Sequence, residues 1–149
     1  MSLQAKVMTA MKEAMKAKDT NALTSLRAIK SAILLAQTES GAKEELSEDQ
    51  ELKLLQKLVK QRKDSAAIFT EQGREDLAQP EIDQAKVIEQ FLPEQLSEEE
   101  IEKVIVEIIA KTGAEGMKDM GKVMGMASGQ LTGKADGKTI STIVKAKLS

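Results

Sequence analysis

Phe91-Leu-Pro-Glu-Gln-Leu-Ser-Glu-Glu-Glu-Ile101 is the stretch on which the fold turns. Pro93 disfavours helical geometry in Leu92 and has no amide hydrogen with which to continue a ladder, so the helix before it must end. Just beyond, Ser97 and Glu100 stand in capping-box spacing, and Leu96 and Ile101 are placed to form a hydrophobic staple. Glu98, Glu99 and Glu100 sit where the positive end of a helix dipole favours acids. One helix stops here and another starts on its own signals, which predicts two subdomains, residues 1–92 and 93–149.

Outward from that boundary, apolar residues recur at three- and four-residue intervals and strand-like alternation hardly appears, so the expected fold class is all-α. About four helices are predicted upstream. The first begins after Ser2, buries Leu3, Val7, Met11 and Met15, and ends near Lys18. Asp19-Thr20-Asn21 supplies cap chemistry for the second, which carries Leu23, Leu26, Ile29, Ile33 and Leu34 inward and leaves at Gly41. The third opens on Ser47 and Gln50 in capping-box spacing, runs through Leu52, Leu55, Leu58, Val59, Ala66 and Phe69, and stops at Gly73. Arg74-Glu-Asp-Leu77 precedes the fourth, with Pro80 in its first turn and Ile82, Ala85, Ile88, Phe91 and Leu92 facing the core. Three helices follow the boundary. Ile101, Val104, Ile105, Ile108 and Ile109 mark one that ends at Gly113; another spans Met117 to Leu131. The last, from Gly137 to Leu148, takes Asp136 as its N-cap and turns Ile140, Ile143, Val144 and Leu148 inward.

The 149 residues include no cysteine and no histidine, which removes thiol nucleophiles, disulfides, the usual zinc ligands and any imidazole base. No nucleotide or metal-loop motif places the remaining Glu, Asp, Lys and Ser, so no catalytic residue, cofactor or metal is assigned. Tyr and Trp are absent and Phe69 and Phe91 are the only aromatics, which argues against base stacking on aromatic platforms. Neither a secretory h-region at Met1-Ser-Leu-Gln-Ala-Lys6 nor an apolar run long enough for a bilayer is present. A cytoplasmic setting away from membranes is expected.

The formal charge of -2 conceals opposite blocks. Arg74 to Glu115 holds four basic residues against twelve acidic ones, whereas from Gly116 onward six lysines face only Asp119 and Asp136. Lys60, Arg62 and Lys63 form a second basic cluster. Local excess of this kind suits a phosphate backbone, although solvated helix faces and helix C-termini collect lysines for ordinary reasons. Overall acidity argues against strong counterion release, and no DNA partner is expected.

Within the basic block a glycine falls at every fourth position: Gly121, Gly125, Gly129, Gly133 and Gly137. A glycine inside a helix costs about 1 kcal/mol relative to alanine, so such a row needs a compensating close approach. Turning about 100° per residue from Met120 puts Val123, Met124, Ala127 and Leu131 on the apolar side and Gly121, Gly125 and Gly129 on its flank, with Lys122 just beyond. Two readings follow. Either the fifth or seventh helix crosses closely over the glycines, or they form a backbone-exposing groove edged by Lys122, Lys134 and Lys138 for a sugar-phosphate chain. Gly133 and Gly137 read first as turn residues around Lys134-Ala-Asp136.

Taken together, Arg74-Glu-Asp-Leu77, Phe91-Leu-Pro-Glu-Gln-Leu-Ser-Glu-Glu-Glu100, Lys118-Asp-Met-Gly-Lys-Val-Met-Gly125 and Gly133-Lys-Ala-Asp-Gly-Lys138 resemble the YqeY-like proteins, as do Leu26-Arg27 and Lys60-Gln-Arg-Lys-Asp64. The resemblance implies a small, bacterial, cytosolic family sharing its fold with the tail domain of GatB, the B subunit of glutamine-dependent tRNA amidotransferase. It implies two helical subdomains and a noncatalytic module that binds tRNA or associates with an aminoacyl-tRNA synthetase or amidotransferase. A carbon-nitrogen ligase label with glutamine as amido donor attaches to that subunit's catalytic domain, which the resemblance does not cover. The residues implied for RNA are Gly121, Lys122, Gly125, Gly133, Lys134, Lys138 and Lys145. Charge segregation equally suits the alternative, a protein interaction adaptor without RNA that docks through the acidic helix from Ser97 or the lysine-rich first helix.

Overall fold

A computed structural model describes residues 2–39 and 46–149. Over these the chain is all-α, with α1 (Leu3–Lys16), α2 (Thr20–Glu39), α3 (Glu48–Glu71), α4 (Glu75–Glu89), α5 (Glu98–Thr112), α6 (Met120–Gln130) and α7 (Gly137–Leu148). A single turn of 3₁₀ helix, Met117–Asp119, leads into α6, and no strand occurs among the described residues. Contacts gather the chain into two compact units, Met1–Leu92 and Pro93–Ser149. The exit expected at Gly41 lies outside the described residues.

In the first unit, Leu3 and Val7 of α1, Leu26, Ile29 and Ile33 of α2, Leu55 and Val59 of α3, and Ala85 and Ile88 of α4 close one core. Ser2 caps α1 by accepting from the Ala5 amide at 3.2 Å, and Asp19 does the same for the Ala22 amide of α2 at 3.0 Å. Between them Lys18 takes the left-handed conformation, φ 56°, while the Asp19 amide reaches back to the Ala14 carbonyl at 2.9 Å. The Ser47 and Gln50 capping box is formed in both directions. α3 and α4 make a tight hairpin around Gly73, φ 73°, with Ala66 and Ala78 buried on either side of the turn.

Five expectations fail here, for identifiable reasons. Met15 and Leu34 point outward, 53% and 46% exposed, because α1 turns Ala14 inward and α2 turns Ile33 inward, and the next residue lies about 100° away. The first helix ends at Lys16, since the left-handed Lys18 closes it early. Pro80 sits inside α4 and not in its first turn: the Gly73 turn is so short that Arg74 already serves as the cap and the helix begins at Glu75. Ile82 is 36% exposed, and the inward positions are Ala78, Ala85 and Ile88.

The second unit is a three-helix core of Ile101, Ile105 and Ile108 from α5, Val123 and Ala127 from α6, and Ile140, Val144 and Leu148 from α7. Leu131 and Ala135 from the intervening turn complete it. The Ser97 and Glu100 capping box starts α5, Leu96 packs on the core as a staple, and left-handed Gly113 ends the helix. Capping α7, Asp136 accepts from the Thr139 amide at 2.6 Å. The sixth helix begins later than expected, at Met120, because Met117–Asp119 is wound more tightly as 3₁₀ helix.

Candidate nucleic-acid interface

Three positions define the core side of α6: Val123 and Ala127 are buried completely and Leu131 follows them inward. At about 100° per residue, Gly121, Gly125 and Gly129 then fall on the far side of the helix, not on the flank of its core. All three are exposed, and a Cβ built on any of them meets no heavy atom within 4 Å. Close crossing by α5 or α7 is therefore overturned as the reason for the glycines. Their face is open.

Lys122 stands on that same outward side of α6 and is exposed. Lys138 and Lys145 are seven residues apart on α7 and share the face away from Ile140, Val144 and Leu148. Lys134 lies in the turn between the two helices. None of these four lysines forms an ion pair with a described residue, and all are exposed. The nearest acids along the chain are already engaged: Asp119 accepts from the Glu115 amide at 3.1 Å and Asp136 caps α7. Lys138 also sits at the positive end of α7, where the helix dipole disfavours a cation, so the dipole gives no reason for its place. Lys145, in the last turn, has that ordinary reason.

The glycines divide by conformation. Gly133 is buried with φ 78°, a left-handed position that glycine occupies without strain and that turns the chain from α6 towards α7. It shapes the turn and is not part of the open face. Gly137 is the first residue of α7 with open space around it.

One contributor escaped the sequence reading. The Gln95 side-chain amide donates to the carbonyls of Gly133 at 2.6 Å and Pro93 at 2.9 Å, and the Leu96 amide donates to the Lys134 carbonyl at 2.9 Å. The Pro93-to-Ser97 segment thus holds the backbone from which Lys134 projects. A glutamine after Pro93 carries no periodic signal, and only the fold shows that it meets a turn 38 residues away.

Lys60, Arg62 and Lys63, the basic cluster late in α3, are arranged differently. Lys60 pairs with Asp64 at 3.2 Å, and Lys63 bridges to Glu89 of α4 at 2.8 Å. Arg62 turns back on its own helix, donating to the Leu58 carbonyl at 3.3 Å. Arg74 is held bidentately by Asp76, at 3.1 and 2.9 Å. That hydrogen-bonded pairing shifts Asp76 below the usual carboxylate range and raises Arg74.

Among the described residues no helix is long and apolar enough to cross a membrane. The chain is similar to the altered inheritance of mitochondria protein 41, mitochondrial, of Clavispora lusitaniae, 38% identical over 82 residues that make up 55% of this chain and 46% of that protein. It is also similar to the protein of the same name from Kluyveromyces lactis, 36% identical over 102 residues, 66% of this chain and 54% of that protein. The matched regions span about half the length of these relatives. Their mitochondrial names stand beside the bacterial, cytosolic setting that the resemblance implies. The pattern of the YqeY-like proteins runs from residue 4 to residue 148, through both units, and the chain belongs to that family.

Proposed function

We propose that this chain is a noncatalytic tRNA-binding module of the cytoplasm, working beside an aminoacyl-tRNA synthetase or a tRNA amidotransferase. The observation that carries the reading is the pairing of an open glycine face on α6 with lysines that have no acidic partner among the described residues. A sugar-phosphate chain needs uncommitted cations and a surface without side chains that hold it off, and both occur together in the second unit. Lys122, Lys134, Lys138 and Lys145 contact phosphates; Gly121 and Gly125 allow the close approach, and Gly133 sets the turn. Resemblance to the GatB tail supports tRNA as the nucleic acid. No ligase chemistry is assigned, since the reading requires only binding.

Titration of unfractionated tRNA at moderate salt tests it. With about four phosphates neutralised, log affinity should fall against log salt with a slope of roughly -3 to -4. Changing Lys122, Lys134 and Lys138 together to Glu should weaken binding by at least about thirtyfold, while circular dichroism stays helical. Failure of the native chain to bind, or equal binding by the triple variant, sinks the proposal and leaves the adaptor as the better reading.

A further inference from the structure

The first unit carries a second apolar surface that its core leaves uncovered. On α2, Leu35 lies opposite the buried line of Leu26, Ile29 and Ile33 and Ala32 and Ala36 lie on its flank, and on α3, Leu54 and Leu58 border the buried line of Leu55 and Val59. These five residues line a groove of about 400 Å³ between the two helices. Leu35 is 60% exposed in it, and Ile68, 53% exposed, continues the same face of α3. A lone surface leucine is ordinary, whereas a groove with leucines on both walls is a surface of the kind that partners cover.

The shape and the rim narrow the occupant. Leu54 and Leu58 are one turn apart, and the small side chains of Ala32 and Ala36 leave room for a backbone against the α2 wall. An amphipathic helix with apolar residues at i, i+3 and i+7 fits such a track. Lys53 and Lys57 stand on the α3 rim, one turn apart. Lys57 pairs with no described residue, and the contact of Lys53 with Asp49 is 3.9 Å long and largely exposed, so both are available to acids of a partner. Glu39 is the acid on the α2 wall, so the acidic edge of the occupant must face α3. The floor has no aromatic residue on which a base could stack, and leucines on both walls match the apolar face of a helix better than a sugar-phosphate chain.

We propose that the α2/α3 groove docks an amphipathic helix of a partner protein, two to three turns long, with acidic residues along the edge that faces Lys53 and Lys57. This surface is separate from the glycine face and does not depend on the tRNA reading. It also differs from the acidic helix and the first helix named for an adaptor.

Two synthetic peptides of about eleven residues test it, identical in leucine spacing, one flanked by Glu and the other by Lys, titrated onto the isotope-labelled full chain. The Glu peptide should shift the amides of Ala32, Leu35, Leu54 and Leu58 and bind at least about tenfold tighter than the Lys peptide. Lys53→Glu with Lys57→Glu should reverse that preference. Leu35→Asp, a change at an exposed position, should weaken the Glu peptide by at least about tenfold with the spectrum of the fold retained. The proposal is overturned by absence of binding, by shifts outside the groove, or by equal affinity for the two peptides. It is also overturned if the free chain sediments as a dimer that Leu35→Asp dissociates, which would give the groove to a second copy.

Discussion

Lys60, Arg62 and Lys63 of α3 and Lys122, Lys134 and Lys138 of the second unit are three cations each, alike in charge and opposite in what they are free to do. On α3, Asp64 falls four residues after Lys60 on the same face, and the hairpin with α4 brings Glu89 to Lys63. Arg62 is drawn back along its own helix. In the second unit Asp119 and Asp136 accept backbone amides instead, so Lys122, Lys134 and Lys138 are left facing water. A phosphate backbone can recruit only uncommitted cations without first breaking a pair. The difference is set by where the acids fall in three dimensions, which a count along the sequence does not contain.

The glycine face gives the largest effect by which to break this comparison. Gly121, Gly125 and Gly129 lie in the regular part of α6 with open space at every Cβ position, so alanine fits all three without strain. Gly125→Ala, in mid-helix, should stabilise the unit by about 1 kcal/mol; Gly121 is second and Gly129 next to last in α6, so each should add less and the triple about 2 kcal/mol, read as a shift of the denaturation midpoint. The same variant should bind tRNA more weakly, because three methyl groups hold the sugar-phosphate chain off the helix. Stability and binding moving in opposite directions is the signature of a face kept bare for something outside the chain. A destabilised triple variant would mean that the face is packed after all.

Much of the fold was legible because its signals are local. Ser47 with Gln50, Ser97 with Glu100 and Asp136 announce helix starts through bonds to residues three positions away, and the all-α class follows from periodicity alone. The errors sit where tertiary geometry decides. Met15 and Leu34 are as apolar as their inward neighbours, and only the packing of α1 against α2 selects Ala14 and Ile33. At Pro80 the preference for a first turn lost to the short Gly73 hairpin. In the candidate site the lysines could be named from sequence but their freedom could not; the helical wheel places Gly125 and Gly129 well away from the core side, but whether a neighbouring helix covers that face is decided only by the packing of α5 and α7.

Gln95 sharpens the contrast at a smaller scale. Its amide spans the carbonyls of Gly133 and Pro93, so Gln95→Ala should cost about 1 kcal/mol in unfolding free energy, as for a partly exposed hydrogen-bonded side chain. The turn that presents Lys134 should loosen, and tRNA affinity should drop severalfold. Unchanged affinity in a destabilised variant would show that Lys134 needs no fixed presentation. Single neutralisations separate the two basic clusters more directly. Lys122→Gln should lower the salt slope of tRNA binding by about one and weaken binding a few-fold. Lys60→Gln, which only releases Asp64, should change neither.

The smallest expected effect concerns a cation committed as fully as Lys60 and Lys63. Arg74 donates two hydrogen bonds to Asp76, and this pairing lowers the Asp76 pKa while raising that of Arg74. A carboxylate with a depressed folded pKa contributes to stability above its unfolded pKa, and that contribution is lost as pH falls through the lower folded value. Carbon NMR of the Asp76 carboxyl should therefore show a midpoint below that of ordinary aspartates, and Arg74→Gln should move it upward. Because the pair is exposed, solvent and salt screen it and the unfolding midpoint at neutral pH should barely change. Added tRNA should leave the Asp76 midpoint where it is, since a paired guanidinium has no call to leave its carboxylate. A midpoint that rises when tRNA is added would show Arg74 transferring to phosphate, and the division between committed and free cations would then no longer follow the pairs seen in the fold.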